Sequence, residues 1–189
     1  MIKNITQLIE IIGKFKDLKR SGWINKKVID SESDAEHSFS VALLAFLLAP
    51  DDLDKEKCLK LALIHDLAEI YAGDFTPYDN ITPQEKIHRE RQGIAQIAEE
   101  LGVNELIDLF NDFENKSSQE AIFINALDKI DNVITATYYD SHQRAKEPLA
   151  AEFCDYAYRK ISTLSDNGQL SEIKQILENL TNRANQPID

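Results

Sequence analysis

His37, His65, Asp66 and Asp128 each fall inside an apolar helical pattern, where an ionisable side chain is costly unless it is paired or bound to a metal. Two imidazoles and two carboxylates make a mixed nitrogen and oxygen donor set. That set suits Mn, Fe, Co, Ni or Zn; it does not suit calcium, nor a zinc site built on thiolates. Adjacent side chains on a helix diverge by about 100°, so His65 and Asp66 can both reach one ion lying beside their helix. Singly these are weak signals, since a buried histidine is more often a hydrogen-bonded core residue than a ligand. Context strengthens them. Leu61-Ala62-Leu63-Ile64-His65-Asp66-Leu67-Ala68-Glu69 sets the pair in an apolar run, with a histidine upstream and an aspartate downstream on apolar helices of their own.

The elements that must position these groups read as helices. Periodicity predicts them at about 4–18, 34–49, 55–72, 83–101, 104–114, 118–141, 148–163 and 169–182. Asn4 with Gln7, Ser33 with Glu36, and Ser117 with Glu120 fit a cap and its reciprocal partner three residues on. Thr82 caps another helix, with Pro83 at its first position and Glu85 at its third. Gly73 and Gly102 stand where helices should stop. The stretch 19–33 reads as an irregular connection and 73–82 as a loop. Helices 34–49 and 55–72, apolar around much of their circumference, should form the buried centre. No strand, repeat or low-complexity segment is evident. The expectation is a single all-α domain over residues 1–189, with a helical core at about 4–163 and an amphipathic C-terminal helix at about 169–182 packed on its own domain.

Composition narrows the function classes. Of the 189 residues, 33 are acidic and 21 basic, a formal net charge of −12. Such a surface repels phosphate backbones, so long nucleic acid is excluded as a partner. A small anion can still bind where a cation reverses the local field. Cys58 and Cys154 lack Cys-x-x-Cys spacing, which fits a reducing compartment and no structural zinc. No secretory signal is evident, and the longest apolar run, Val41 to Ala49, is about half a membrane span. A soluble cytoplasmic protein is expected, with no membrane partner.

The ordered series His37 … His65-Asp66 … Asp128 resembles the HD-domain metal-dependent phosphohydrolases. A narrower resemblance is to their 5′-deoxynucleotidase branch, which includes HD-domain-containing protein 2. It is carried by Gly22-Trp23, Ala35-Glu36-His37-Ser38, Ile64-His65-Asp66-Leu67-Ala68-Glu69, Gly73-Asp74-Phe75-Thr76-Pro77, Glu85-Lys86 and Ala126-Leu127-Asp128-Lys129. The resemblance implies an all-helical domain, often a homodimer, that cleaves deoxynucleoside 5′-monophosphates with a divalent ion. Co²⁺ or Mn²⁺ is the first expectation, with Mg²⁺, Ni²⁺, Zn²⁺ and Fe²⁺ as alternatives. It further implies that His37, His65, Asp66 and Asp128 hold the metal and that Glu69 and Asp74 are catalytic or supporting carboxylates. Those two, with the backbone of Phe75, are also candidates for a second cation. Asp74, Phe75, Thr76 and Pro77 resemble a strip lining the nucleotide, Trp23 its aromatic neighbour, and His37 and Lys129 further substrate contacts. One departure stands out. Some bacterial relatives carry an arginine just before this tryptophan, whereas this chain has Gly22; Arg20 or Lys19 would have to substitute.

These residue types suit phosphomonoester hydrolysis. A bound cation brings the pKa of its water to roughly 7 and offsets the repulsion between an anionic substrate and an acidic protein. Glu69, one helical turn beyond His65, can orient or deprotonate the water. Asp74, just past Gly73, can protonate the departing 5′ oxygen, grip the sugar or hold a second cation. Lys129 and Arg20 are the cations available to phosphate oxygens. Each has a plainer reading: Glu69 as a solvated helix-end carboxylate, Asp74 as a turn residue, Trp23 as packing, Lys129 as a neighbour's counter-ion. The rival functions are an HD-type phosphodiesterase or nucleoside triphosphate hydrolase, and a non-catalytic module that binds metal or nucleotide.

Overall fold

A computed structural model of the chain describes residues 4–76 and 79–184. Ten helices follow one another among them: α1 (Ile5–Asp17), α2 (Ser21–Asn25), α3 (Asp34–Leu48), α4 (Lys55–Ile64), α5 (Glu69–Ala72), α6 (Pro83–Leu101), α7 (Glu105–Asn115), α8 (Gln119–Ser141), α9 (Ala150–Ile161) and α10 (Ser171–Ala184). The described residues contain no strand, only an isolated bridge between Lys19 and Ser33. The fold is all-α, as the sequence predicts. No described helix is long and apolar enough to cross a membrane.

The caps explain where most helices begin. Ser33 Oγ accepts from the Glu36 N–H while the Glu36 carboxylate accepts from the Ser33 N–H, a complete capping box that starts α3. Asn4 Oδ1 accepts from the Thr6 and Gln7 N–H groups at the start of α1, and Thr82 Oγ1 from the Glu85 N–H at the start of α6. The cap of α8 is Ser118, which accepts from the Ala121 N–H, and not Ser117. The adjacent serine wins because its extended backbone presents the oxygen to the helix's free donors. The 19–33 connection is not irregular throughout: it contains α2 and is drawn closed by the Lys19–Ser33 bridge.

Two differences bear on the site. The buried centre is α8, whose Ile122–Ile124, Ala126, Leu127, Ile130 and Val133 are all inside and which α3, α4, α7, α9 and α10 pack around. α3 is apolar on both faces but buries only one: Val41, Ala42 and Ala45 face the core, while Phe39, Leu43, Phe46 and Leu47 are 47–70% exposed. The second difference is that the predicted helix 55–72 is interrupted at residues 65–68. There the ladder tightens to i→i+3 bonds, Leu67 N–H to the Ile64 carbonyl and Glu69 N–H to that of Asp66, before α5 resumes.

α6 lies close against this interruption because residue 93 is glycine. A Cβ at Gly93 would stand 2.5 Å from the Ala68 carbonyl oxygen, a backbone atom that cannot swing away. We expect Gly93→Ala to lose about 1–3 kcal/mol of stability through overpacking, against the roughly 1 kcal/mol that helix propensity alone would add. Urea denaturation checks it; a variant more stable than wild type would mean that the close approach is not needed.

Candidate metal centre

Three elements bring the predicted ligands together. His37 sits one turn into α3, held there by the capping box, and is wholly buried. His65 closes α4 and is 3% exposed. The interruption that follows lets Asp66 turn back, so that its Oδ2 lies 3.3 Å from His65 Nε2 and 3.6 Å from His37 Nε2. Asp128 comes from the middle of α8, with Oδ1 3.4 Å from His37 Nε2. The two Nε2 atoms are 3.2 Å apart.

Hydrogen bonds on the far side of each ring decide what those two nitrogens carry. His65 Nδ1 lies 2.8 Å from the Ala62 carbonyl, which only accepts, so Nδ1 holds the hydrogen. His37 Nδ1 donates to Asp131 Oδ2 at 2.7 Å. In the neutral rings both Nε2 atoms therefore present lone pairs, and these face each other. Donor atoms held about 2.1 Å from one ion stand roughly 3.0–3.4 Å apart; those of His37, His65 and Asp66 are 3.2–3.6 Å apart, and Asp128 adds an oxygen 3.4 Å from His37 Nε2. The arrangement fits a divalent metal ion bound by imidazole Nε2 and carboxylate oxygen, with the opposite ring nitrogens oriented by Asp131 and Ala62.

Charge in the cluster follows the same logic. Burial and Arg20 disfavour a charged His37, yet Asp128, Asp131 and Asp66 outweigh both and lift it to about 9. Burial opposes ionisation of Asp66, but His65, Arg20 and His37 hold its carboxyl well below the usual range. The same opposition at Asp128 is overcome by Lys129 and the two histidines. Lys129 Nζ donates to Asp128 Oδ2 at 2.5 Å, and Asn132 Nδ2 to Asp128 Oδ1 at 3.1 Å.

Glu69 is buried, not solvated, and it does not join the histidines. One carboxylate oxygen from each of Asp34, Glu69 and Asp74 lies within 4.8 Å of the others, a separate group beside the first. Burial pushes the Glu69 carboxyl well above its ordinary range, and Asp66, Asp74 and Asp34 push it further. Burial and Asp66 likewise lift Asp34, to about 7. Asp74 accepts the Ser21 N–H on Oδ2 at 2.5 Å, just past Gly73, whose φ of 88° glycine alone adopts without strain. The Phe75 carbonyl faces Lys86 Nζ at 3.3 Å.

A cavity of about 500 Å³ opens over both groups, within the usual size of a small-molecule site. Phe75 and Thr76 line it; Pro77 lies outside the described residues. Trp23 contributes to its wall but is 1% exposed, stacked on Phe153 at 4.6 Å and edge-on to Tyr139, with Nε1 donating to Glu32. Of the two substitutes for the missing arginine, Arg20 reaches the site, donating to Asp66 Oδ2 at 2.8 Å, whereas Lys19 donates to the Ser31 carbonyl and pairs with Glu36. A Cβ at Gly22 would meet open space.

Several site residues escaped sequence reading. Asp131 lies three residues beyond Asp128 on the same face of α8, a spacing that was there to be used. Asp34 looks like an ordinary acidic residue at a helix start. Lys86, 3.7 Å from Glu69 and 3.3 Å from Glu90, lay within a segment that reads equally as a solvated face. α9 supplies Phe153, Tyr156 and Arg159 to the cavity without any motif to announce them.

A helical domain that gathers His, His-Asp and Asp in this order around one point is the architecture of the HD phosphohydrolases. A family model described as HD domain matches residues 12–168, and the chain belongs to that family. It is 35% identical to the human 5′-deoxynucleotidase HDDC2 over 141 residues, 73% of this chain and 69% of the relative. It is 34% identical to the Dictyostelium discoideum 5′-deoxynucleotidase HDDC2, over 82% of this chain and 88% of that one. Among solved structures, the PH0347 protein from Pyrococcus horikoshii OT3 superposes with a TM-score of 0.78 at 27% identity, covering 95% of this chain and 99% of the other. The family implies a divalent metal ion, and the His/Asp group suits one.

Asp131 touches no ligand position except through His37, so its removal isolates the orienting role. We expect Asp131→Asn to weaken Co²⁺ binding about 10–100-fold, by releasing the tautomer of His37. Equilibrium dialysis measures it; unchanged affinity would assign Asp131 to packing alone.

Proposed function

We propose that the chain is a 5′-deoxynucleotidase, a metal-dependent phosphohydrolase that converts deoxynucleoside 5′-monophosphates to deoxynucleosides and phosphate. The observation that carries this reading is the pair of Nε2 atoms facing each other at 3.2 Å, with Asp66 and Asp128 beside them, in a chain of this family. His37, His65, Asp66 and Asp128 are the ligands, and Co²⁺ or Mn²⁺ the ion that their mixed nitrogen and oxygen set favours. When bound, such an ion makes hydroxide available near neutrality and offsets phosphate charge.

The chain's own groups do the rest. Ala62 and Asp131 fix the ring tautomers. Lys129 and Lys86, which line the cavity beside Asp128 and Glu69, hold the phosphate oxygens with Arg20. Glu69 and Asp74, on the cavity floor, place the attacking water and the departing 5′ oxygen. Phe75, Thr76 and Trp23, which line the cavity, face the nucleoside. The substrate is a small nucleotide, not a long nucleic acid, whose backbone the net charge of −12 repels. A cytoplasmic location agrees with the two unpaired, buried cysteines. We place all of residues 1–189 in one domain, because α10 packs on α8 and α9.

The assembly we propose is a homodimer. Phe39, Leu43, Phe46 and Leu47 recur at i, i+4, i+7 and i+8 and so form one exposed stripe on α3. Together they expose roughly 450 Å² of apolar surface, about half of what each partner gives to a standard interface.

Two measurements test these readings. EDTA-stripped protein should release no phosphate from dAMP, dGMP or dTMP. Co²⁺ or Mn²⁺ should restore release while cyclic nucleotides and triphosphates stay intact, and Glu69→Gln should bind Co²⁺ yet turn over about 10²–10⁴-fold more slowly. Hydrolysis of triphosphates or cyclic nucleotides in preference to monophosphates would move the chain to a different branch of its family. For the assembly, light scattering should report a dimer that Phe46→Glu converts to a monomer; a wild-type monomer rejects it.

A further inference from the structure

Arg20, Lys26, Lys86, Lys129 and Arg159 are the cationic side chains that line the cavity among the described residues. Carboxylates of the protein itself already neutralise the first four. Arg20 donates to Asp66 Oδ2 at 2.8 Å, and Lys129 to Asp128 Oδ2 at 2.5 Å. Lys26 donates to both carboxylate oxygens of Glu152 at 2.6–2.7 Å, and Lys86 stands 3.3 Å from Glu90 and 3.7 Å from Glu69. Arg159 differs from all of these. It is exposed, and among the described residues it makes no hydrogen bond, ion pair or ring contact. It lies in the last turn of α9. Phe153, Tyr156 and Arg159 recur there at every third position and all line the cavity. Phe153 stacks on Trp23, so this wall runs from aromatic at one end to cationic at the other. Lys160 adds to the cationic end, with Nζ 5.4 Å over the centre of the Tyr156 ring.

We propose that Arg159 is a further substrate-binding residue, which captures the phosphate group of the incoming nucleotide at the cavity rim. This rests on the reading of the chain as a nucleotide phosphohydrolase. A phosphate dianion nearing a protein of net charge −12 is repelled until it meets a positive charge that nothing has neutralised. Phosphate that binds Lys26 or Lys129 must compete with a carboxylate already in contact, whereas at Arg159 it displaces only water. The guanidinium offers parallel N–H donors to two phosphate oxygens, which a lysine cannot do. Being exposed, Arg159 waits unpaired without the cost of a buried charge. The paired cations deeper in the cavity act on the seated substrate; Arg159 acts on its arrival and on the departure of phosphate.

Two plainer roles compete: a charge that complements the C-terminal end of the α9 dipole, and a contact to the nucleoside instead of the phosphate. Calorimetric titration of inorganic phosphate into protein supplied with Co²⁺ or Mn²⁺, alongside steady-state kinetics on dTMP, separates all three. Arg159→Ala should weaken phosphate binding about tenfold and raise KM for dTMP by a similar factor, with kcat within about twofold of wild type. Arg159→Lys should recover part of the loss, because the charge returns without the fork. The difference from wild type should shrink as salt is raised to about 0.5 M. Inhibition by thymidine, which carries no phosphate, should be the same in both. Equal phosphate affinity in wild type and Arg159→Ala overturns the proposal, as does wild type that binds no phosphate. A loss confined to thymidine would assign Arg159 to the nucleoside, and a lower urea midpoint with phosphate binding intact would make it a helix-end charge; either overturns it. Wild type that binds phosphate but hydrolyses no deoxynucleoside monophosphate removes the functional reading, and the calorimetry still decides the role of Arg159.

Discussion

Two imidazole Nε2 atoms facing each other at 3.2 Å inside a helical core repel unless a proton or a cation lies between them. Much of the local structure serves to hold them there. His65 keeps its hydrogen on Nδ1 because the Ala62 carbonyl takes it, and the tightened turn that follows puts Asp66 within 3.3 Å of the same ring's Nε2. His37 keeps its hydrogen on Nδ1 because Asp131 takes it from α8, the helix that also delivers Asp128. The capping box at Ser33 sets where α3 begins and so where His37 points. Gly93 lets α6 close over the turn from the other side.

The electrostatic problem is wider than the two rings. Asp66, Asp128, Asp131, Asp34, Glu69 and Asp74 converge here, and Arg20, Lys86 and Lys129 do not cancel them. At low effective dielectric, like charges this close raise one another's proton affinity. The direction at each group records which neighbour prevails. Asp66 and Asp128 have cations against them and are held ionised; Glu69 and Asp34 are surrounded chiefly by other carboxylates and are pushed towards the neutral form. The cavity above them can accept an anion only once this excess is reversed, which is how a chain of net charge −12 can act on phosphate esters.

Most of this was legible because polar residues in apolar helices are conspicuous. His37, His65, Asp66 and Asp128 stand out by cost alone, and the caps at Asn4, Ser33 and Thr82 bound their helices from local chemistry. What was hidden depends on long-range packing. The break at 65–68 contains neither glycine nor proline, so nothing in the local sequence marks it. It also moved Glu69 away from the histidines, where an unbroken helix would have put it. That α8 and not α3 lies at the centre cannot be read from composition, since both are apolar; only burial on all sides distinguishes them. Asp34 and Asp131 are ordinary in sequence and become unusual only through what surrounds them.

Trp23 shows how the cavity wall and the His/Asp group are coupled. Its ring is too deeply buried to act as an open stacking platform, yet its Nε1 donates to Glu32, whose carboxylate lies 3.6 Å from Arg20 Nε. Arg20 in turn donates to Asp66, and the Tyr139 hydroxyl accepts the Glu32 backbone N–H. The link from cavity wall to Asp66 is therefore one hydrogen-bonded and charged path of four side chains. Burial raises the Glu32 carboxyl, and His37, Arg20 and Trp23 oppose that rise. A residue in the position of Gly22 is free to vary because a Cβ there meets nothing within 4 Å, whereas Trp23 beside it is fixed by what it holds. The arginine that this chain lacks before its tryptophan is thus answered from two residues further back, by a guanidinium that reaches the centre through Asp66 and not across the open cavity.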